Sequence, residues 1–273
     1  MSFVLAVATN LVANIAFWLA LGLVFLVGSR TVERRMVRFF GLGNSRRVHV
    51  YLSNAADDTP RSDGRRRLAL AFHEFQAIES VNKLFGAAPL RLPELARGLV
   101  DGLWLRRPIH HLAEVSPPTT DGAHLSDSCI VVGSGARNSI RRHGVDRQLV
   151  RATLETELRP GDAWYTAGDE VTVAVRLDGD NVQHIGARKN LAVIEKVHRR
   201  SEDVVNFFCV GVRGDSSWAA VEYLVRNWKQ LAAEFGDQDF VIVLGVPWNE
   251  GAYFTEYPEP SRVASIRTSA RPT

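Results

Sequence analysis

Hydrophobic and polar residues come in blocks along this chain, and the first block sets its topology. Phe3 to Val27 is almost wholly apolar and contains no Lys, Arg, Asp or Glu. At a rise of about 1.5 Å per residue, a helix of that length crosses the roughly 30 Å hydrocarbon core of a bilayer. The pattern therefore predicts one N-terminal transmembrane helix within residues 1–28.

Basic residues follow this apolar block and do not precede it. Arg30, Arg34, Arg35 and Arg38 come directly after it. Because the cytoplasmic flanks of membrane helices are rich in Lys and Arg, the body of the chain is predicted to be cytoplasmic, on a single-pass anchor in the inner (plasma) membrane. A cleaved signal peptide is the alternative, but it would carry its basic residues before the apolar core. Residues 29–46 then form a basic juxtamembrane linker suited to anionic lipid headgroups.

Beyond the linker, strand patterns alternate with helix patterns. Apolar residues at three- and four-residue steps predict helices over Leu68–Phe85, Leu92–Leu105 and Ser216–Phe235. Strands are predicted at residues 47–52, 128–132, 170–177, 190–197, 204–210 and 240–244. Asp178-Gly179-Asp180-Asn181 predicts a hairpin turn. The order predicts a Rossmann-like α/β domain over residues 47–257, with a mostly parallel sheet and an antiparallel hairpin.

Composition narrows the class of protein. A net charge of +3 is too small an excess to indicate nucleic-acid binding. Cys129 and Cys209 both lie in apolar runs, which predicts buried thiols in a reducing compartment and not a disulfide or a metal pair. Residues 258–273 are rich in Pro, Ser and Arg and are predicted to form a disordered tail.

A glycine-rich turn follows the strand at 128–132 and leads into a helix start. A buried strand, a glycine bend and a helix N-terminus together point backbone N–H groups at one place, which favours anions. The candidate ligand-binding residues of this turn are Gly133, Ser134, Gly135, Arg137 and Asn138. The turn has neither the third glycine of the dinucleotide fingerprint nor the Gly-Lys-Ser/Thr of a P-loop. A plain strand-to-helix turn is therefore the alternative.

A second glycine turn repeats this order after the strand at 204–210. Its candidate ligand-binding residues are Gly211, Arg213, Gly214 and Ser216, and Asp215 is interpreted as a plain helix cap. Ser53 and Asn54 follow the first strand and add a third candidate wall. Ligands of open parallel sheets bind beyond the carboxyl ends of the strands, so the three turns predict one shared site.

Motifs for metal binding and for catalysis are missing from the sequence. It has no His-x-x-x-His, Cys-x-x-Cys or Gly-x-Ser-x-Gly, so no metal and no cofactor are predicted. Glu74 and Glu222 lie on predicted helices near the expected site. Either carboxylate suits cleavage of an N-glycosidic bond, although a solvated or capping carboxylate is the simpler interpretation. Whether the protein is an enzyme stays open.

The overall plan resembles the membrane-tethered Rossmann-like sensor and effector domains of bacterial nucleotide-signalling and conflict systems. The resemblance is carried by the apolar span, by Gly133–Asn138, and by Gly211-Val212-Arg213-Gly214 with Trp218 and Tyr223 after it. It implies ligand sensing more than robust catalysis.

The sequence therefore predicts a membrane-anchored cytosolic domain that binds a nucleotide-like or other phosphate-bearing small molecule. Two alternatives stay open: a membrane-bound nucleotide hydrolase or N-glycosidase, and a ligand-free membrane scaffold. Asn10 and Asn14 lie four residues apart in the apolar block and could bond to a second copy of the helix, which would make a homo-oligomer. Their other interpretation is that they lie near the membrane interface.

Overall fold

A computed structural model describes the chain at residues 2–42, 48–52, 72–86, 113–116, 125, 127–133, 144, 149–155, 171–177, 181–188, 190–247 and 257–268. The helices within these ranges are α1 (Ser2–Phe40), α2 (Phe72–Gly86) and α3 (Gly214–Phe235). The strands are β1 (Val48–Tyr51), β2 (Ala113–Ser116), β3 (Cys129–Val132), β4 (Ala152–Glu155), β5 (Val171–Arg176), β6 (Val182–Arg188), β7 (Leu191–Arg199), β8 (Val204–Gly211), β9 (Asp239–Gly245) and β10 (Ser261–Thr268).

A seven-stranded mixed sheet forms the centre of the fold, in the order β10-β9-β7-β8-β3-β1-β2. The strands β2, β1, β3 and β8 are parallel to one another, whereas β8–β7, β7–β9 and β9–β10 are antiparallel pairs. The α/β class is confirmed, but half of the pairings in this sheet are antiparallel. The connection from β7 to β8 explains part of the difference: residues 200–203 are too few for a parallel crossover, which needs about a dozen residues.

Each face of this sheet is covered by a different layer. The helices α2 and α3 and the end of α1 pack on one face, where Ile194, Phe207 and Phe240 join the helical core. The antiparallel three-stranded sheet β4-β5-β6 covers part of the other face, where Val193 and Val243 contact its apolar side chains. Because neighbouring side chains of a strand point to opposite faces, a strand buried between two layers is apolar at most positions.

The predicted disordered tail contains a strand. The prediction is wrong for Ser261–Thr268, which pairs antiparallel with β9 along the edge of the large sheet. Val263 and Ile266 pack against the core between the two sheets. Arg262 makes two hydrogen bonds of 2.8 and 2.9 Å to the Glu234 carboxylate of α3, which ties the strand to the helical layer.

The end of α1 is built into the α/β body. Phe39, Phe40 and Leu42 are buried in the helical core. Gly41 adopts a left-handed conformation, with φ of 62°, and its carbonyl accepts a 2.5 Å hydrogen bond from Ser128 Oγ. Ser128 precedes β3, so α1 joins the body at the edge of the sheet where the parallel strands begin.

The earlier part of α1 presents large apolar side chains to the exterior. Trp18, Leu19 and Val24 are each about two-thirds exposed, at 66%, 69% and 70%. The structure does not support the predicted span over residues 3–27: in the described part of the chain, no helix is long and apolar enough to cross a membrane.

Candidate functional site

Three neighbouring parallel strands end at one edge of the large sheet, called here the carboxyl edge. Tyr51 of β1 pairs with Val131 of β3, and Val132 of β3 pairs with Cys209 of β8. The Gly133 N–H donates a 3.1 Å hydrogen bond to the Cys209 carbonyl. The two glycine turns therefore begin beside each other, as expected if they share a site.

The first turn is described only at its start. Gly133 is buried and has φ of 107°, a conformation that favours glycine. The remaining candidates of this turn, and the two that follow β1, lie outside the described residues: Ser53, Asn54, Ser134, Gly135, Arg137 and Asn138.

The second turn is described in full, and its glycine is required by close packing. The Gly211 N–H donates a 2.9 Å hydrogen bond to Ser217 Oγ in the first turn of α3. A Cβ at position 211 would lie 2.3 Å from Ser216 Oγ and 2.3 Å from the Ser217 nitrogen. Helix α3 thus starts directly against the end of β8, and only a residue without a side chain fits between them.

The Ser216 hydroxyl is engaged in hydrogen bonds within the turn. Its hydroxyl accepts a 2.8 Å hydrogen bond from the Arg213 N–H and donates one of 2.8 Å to the Arg213 carbonyl. Ser217 Oγ also donates to that carbonyl, at 3.2 Å. These contacts close the loop between β8 and α3 and fix the direction in which the helix leaves the sheet.

Asp215 brings a carboxylate to the N-terminus of α3. It is 1% exposed, and its Oδ1 accepts a 2.8 Å hydrogen bond from the Ser216 N–H and lies 3.7 Å from Arg213 Nε. The positive end of the helix dipole therefore faces a negative charge of the protein. A phosphate placed at the same position would be repelled by Asp215. The N-cap of α3 is Arg213, so Asp215 is not the cap but an acidic residue of the first helical turn.

A buried polar cluster lies where α2 meets the first turns of α3. It consists of His73, Asp215 and Trp218, all at most 5% exposed. The His73 and Trp218 rings are 6.0 Å apart, and a Cβ at Gly214 would lie 3.2 Å from His73 Nδ1.

Two polar atoms of this cluster lack a hydrogen-bond partner within the described part of the chain. They are Asp215 Oδ2, an acceptor, and Trp218 Nε1, a donor, and both are buried. Asp215 and Trp218 are three residues apart in α3, which places them on the same side of the helix. From the sequence, Asp215 is interpreted as a helix cap and Trp218 is used only in the family resemblance, so this pair is missed.

The apolar stripe of α2 also differs from the prediction. The three- and four-residue spacing that predicts this helix places Phe75 on the core side, but Phe75 is 56% exposed, whereas His73, Glu74 and Ala77 are buried. Spacing alone favours Phe72, Phe75 and Ile78 as the buried side. The spacing does not predict that His73 packs against Trp218, with the two rings 6.0 Å apart.

The two candidate catalytic carboxylates have different surroundings. Glu222 Oε1 accepts a 2.6 Å charge-assisted hydrogen bond from Arg226 Nε, one helical turn later. The Arg226 guanidinium lies 4.3 Å from the centre of the Tyr257 ring. Glu222 is therefore held in an ion pair with Arg226, whereas Glu74 is buried, at 4% exposed. Neither arrangement favours hydrolysis over binding.

Metal binding and thiol chemistry find no support in the described residues. Across these ranges, no group of three or more His, Cys, Asp or Glu side chains is arranged to hold a metal ion. Cys129 and Cys209 are buried free thiols. Burial raises the pKa of the Cys129 thiol, whose Sγ donates to Asn206 Oδ1 at 3.3 Å. A protonated, buried thiol is unreactive.

Comparison with protein-family models, curated proteins and solved structures finds no match for the chain. Its function must therefore be inferred from the site itself.

Proposed function

We propose that this chain is a membrane-anchored domain that binds a nucleotide-like or other phosphate-bearing small molecule at its carboxyl edge and acts as a sensor or effector. The observation that carries the proposal is the hydrogen bond from the Gly133 N–H to the Cys209 carbonyl, which sets the two glycine turns side by side. Crevices beyond the carboxyl ends of parallel strands are the usual ligand sites of open α/β sheets.

The two glycine turns differ in their suitability for binding a phosphate. Asp215 makes the start of α3 unfavourable for an anion, so the phosphate belongs to the turn after β3. The sequence there supplies glycines for a close approach of the backbone, together with Arg137, Arg141 and Arg142. Arginine binds phosphate oxygens through two parallel N–H groups, which gives both affinity and orientation.

Ligand binding is tested by thermal unfolding of the full chain in detergent, with millimolar nucleotides added one at a time. A ligand at 100 times its Kd stabilises the folded state by about 2.7 kcal/mol, which is a clear shift in the midpoint. We expect at least one nucleotide to stabilise the wild-type chain and Arg137→Ala to abolish the shift. Arg176→Ala, an exposed arginine on β5, is the matched control and should keep it. Stabilisation by no nucleotide would contradict the proposal.

The membrane part of the proposal is supported by the exposed apolar side chains of α1 and by the charges that follow them. Removing apolar surface from water contributes about 25 cal/mol per Å². Insertion into a bilayer would remove the exposed apolar side chains of α1 from water and so would be favourable in free energy. Arg34 and Arg35 are exposed just beyond this part of the helix, where a cytoplasmic headgroup layer would lie. Packing against α1 of a second copy of the chain would bury the same side chains, and this is the alternative to be tested.

Membrane attachment is tested by fractionation of cells that produce the full chain or a chain beginning at Arg30. We expect the full chain to stay in the membrane pellet after an alkaline carbonate wash and the shortened chain to be released. Release of the full chain as a discrete soluble oligomer would instead assign the apolar part of α1 to contacts between copies.

A further inference from the structure

We infer that Asp215 and Trp218 bind a sugar hydroxyl of the ligand, such as the ribose of a nucleotide, while the phosphate is bound by the turn after β3. This inference rests on the proposed function and specifies the ligand of the same site. It starts from two buried atoms, Asp215 Oδ2 and Trp218 Nε1, which have no hydrogen-bond partner among the described residues. A buried polar group without a partner is costly, so a ligand that satisfies both atoms gains affinity.

The charges around Asp215 and Trp218 disfavour both anionic and cationic groups of a ligand. A phosphate would be repelled by the Asp215 carboxylate. A cation would be repelled by Arg213, whose Nε lies 3.7 Å from Asp215 Oδ1, and by the N-terminus of α3. What remains is a neutral polar group that donates one hydrogen bond and accepts another.

A hydroxyl is the smallest group with both abilities. It donates its proton to a carboxylate oxygen and accepts from an indole N–H, which can only donate. Asp215 and Trp218 are 1% and 5% exposed, so a small group fits this position better than a wide one. Gly214, which directly precedes Asp215, is exposed, so Asp215 lies next to a position of the chain that solvent reaches.

The test compares ribonucleoside triphosphates with their 2′,3′-dideoxy counterparts by calorimetric titration of the full chain in detergent. We expect the ribonucleotide that binds the wild-type chain to bind at least tenfold more tightly than its dideoxy analogue. Trp218→Phe, which keeps an aromatic ring and loses the N–H, should reduce this ratio towards one. Asp215→Asn should do the same. Trp228→Phe changes another buried tryptophan of α3 and should preserve the ratio.

The possible results of these titrations distinguish failure of this inference from failure of the proposed function. Equal binding of the two nucleotides to the wild-type chain would overturn the inference while leaving the proposed function intact. A ratio reduced equally by Trp218→Phe and Trp228→Phe would show a general packing effect and would also overturn it. If neither the nucleotides nor inorganic tripolyphosphate bind, both the inference and the proposed function fail. Loss of the ratio in Trp218→Phe alone supports the hydroxyl contact even if Asp215→Asn does not fold.

Discussion

Lys196 shows how much a single buried charge affects this fold. Its side chain lies in the helical layer, where Nζ donates a 2.9 Å hydrogen bond to the Gly236 carbonyl and lies 4.8 Å from the centre of the Phe39 ring. Burial lowers the pKa of the Lys196 ammonium to about 8, and the nearby Asp237 and Asp239 oppose this effect only in part. The charged form is therefore tolerated in the folded protein at a cost in stability.

This cost gives a pH dependence of defined sign. Between pH 8 and the unfolded pKa of 10.5, the unfolded state binds more protons at Lys196 than the folded state, so the contribution of Lys196 to stability rises with pH in that window. The gain is on the order of 3 kcal/mol, because one pKa unit corresponds to about 1.4 kcal/mol. We expect Lys196→Met to lack this rise when both proteins are unfolded with urea at pH 7 to 10.5. Parallel pH profiles for the two proteins would contradict this.

Gly211 gives a second prediction at the residue scale. Gly211→Ala would place its Cβ within 2.3 Å of the Ser217 backbone nitrogen, which cannot move without displacing α3. Overpacking of this kind costs about 1–3 kcal/mol, so the urea midpoint should fall by the corresponding amount. Gly28→Ala in α1, where a Cβ would have no heavy atom within 4 Å, is the control and should leave the midpoint of the body unchanged.

Among the residues of the candidate site, the sequence predicts the bends but not their internal bonds. Gly211 and Gly214 were recognisable because glycines after an apolar strand indicate a tight turn. That Ser216 would close the loop and that Asp215 would occupy the helix end depend on side-chain directions, which spacing does not determine. The partnerless atoms of Asp215 and Trp218 appear only when the packing around α3 is known.

At the scale of elements, Glu195 joins the two sheets. It lies in β7, is 1% exposed, and accepts hydrogen bonds from the Arg151 N–H at 2.7 Å and the Ala152 N–H at 3.1 Å. Both donors lie at the start of β4, so one carboxylate holds the first amide groups of the smaller sheet. Two hydrogen bonds to an ionised acceptor are stronger than those to a neutral one.

Replacing this carboxylate should loosen the smaller sheet before the larger one. Glu195→Gln turns one acceptor oxygen into an amide donor and leaves a buried N–H facing another donor, which costs about 1–3 kcal/mol. We expect faster hydrogen exchange of the Arg151 and Ala152 amides, and little change in β8. Uniformly faster exchange throughout the chain would instead show a loss of global stability.

The elements that the sequence failed to predict are those with weak apolar patterns. In β10, Val263 and Ile266 are separated by small and polar residues, so composition suggested disorder. The strand forms because the edge of β9 offers backbone N–H and C=O groups for pairing, and because Arg262 donates hydrogen bonds to the Glu234 carboxylate. Long, continuous patterns such as α3 and β8 were predicted correctly, since burial alone specifies them.

At the scale of the whole molecule, the end of α1 is part of the core. The Phe39 ring lies 5.3 Å from that of Phe207, 6.4 Å from that of Phe240 and 6.5 Å from that of Trp228. The direction of α1 is thus fixed by the same residues that stabilise the body. The sequence could not show this, because Phe39 and Phe40 follow a run of arginines and were taken as part of a linker.

Truncation of this ring should therefore weaken the body. Phe39→Ala is expected to lower the free energy of unfolding by about 3–5 kcal/mol, the usual cost of removing a buried aromatic side chain. Phe17→Ala is the matched control: that ring is 61% exposed and should not affect unfolding of the body in detergent. Chemical denaturation followed by tryptophan fluorescence compares the two. Equal midpoints would show that the end of α1 contributes no stability.

The position of α1 has a consequence for the proposed binding of an anionic metabolite. The helix meets the sheet beside Ser128 and Val205, near the start of β8, and Gly211 lies at the other end of that strand. Eight residues of strand span about 26 Å. The glycine turns therefore lie about three Debye lengths from the point where α1 meets the sheet, since that length is about 8 Å at physiological ionic strength. Under the proposed function, the charge of acidic phospholipids around α1 is largely screened at the turns, and a polyphosphate can approach them from the cytosol.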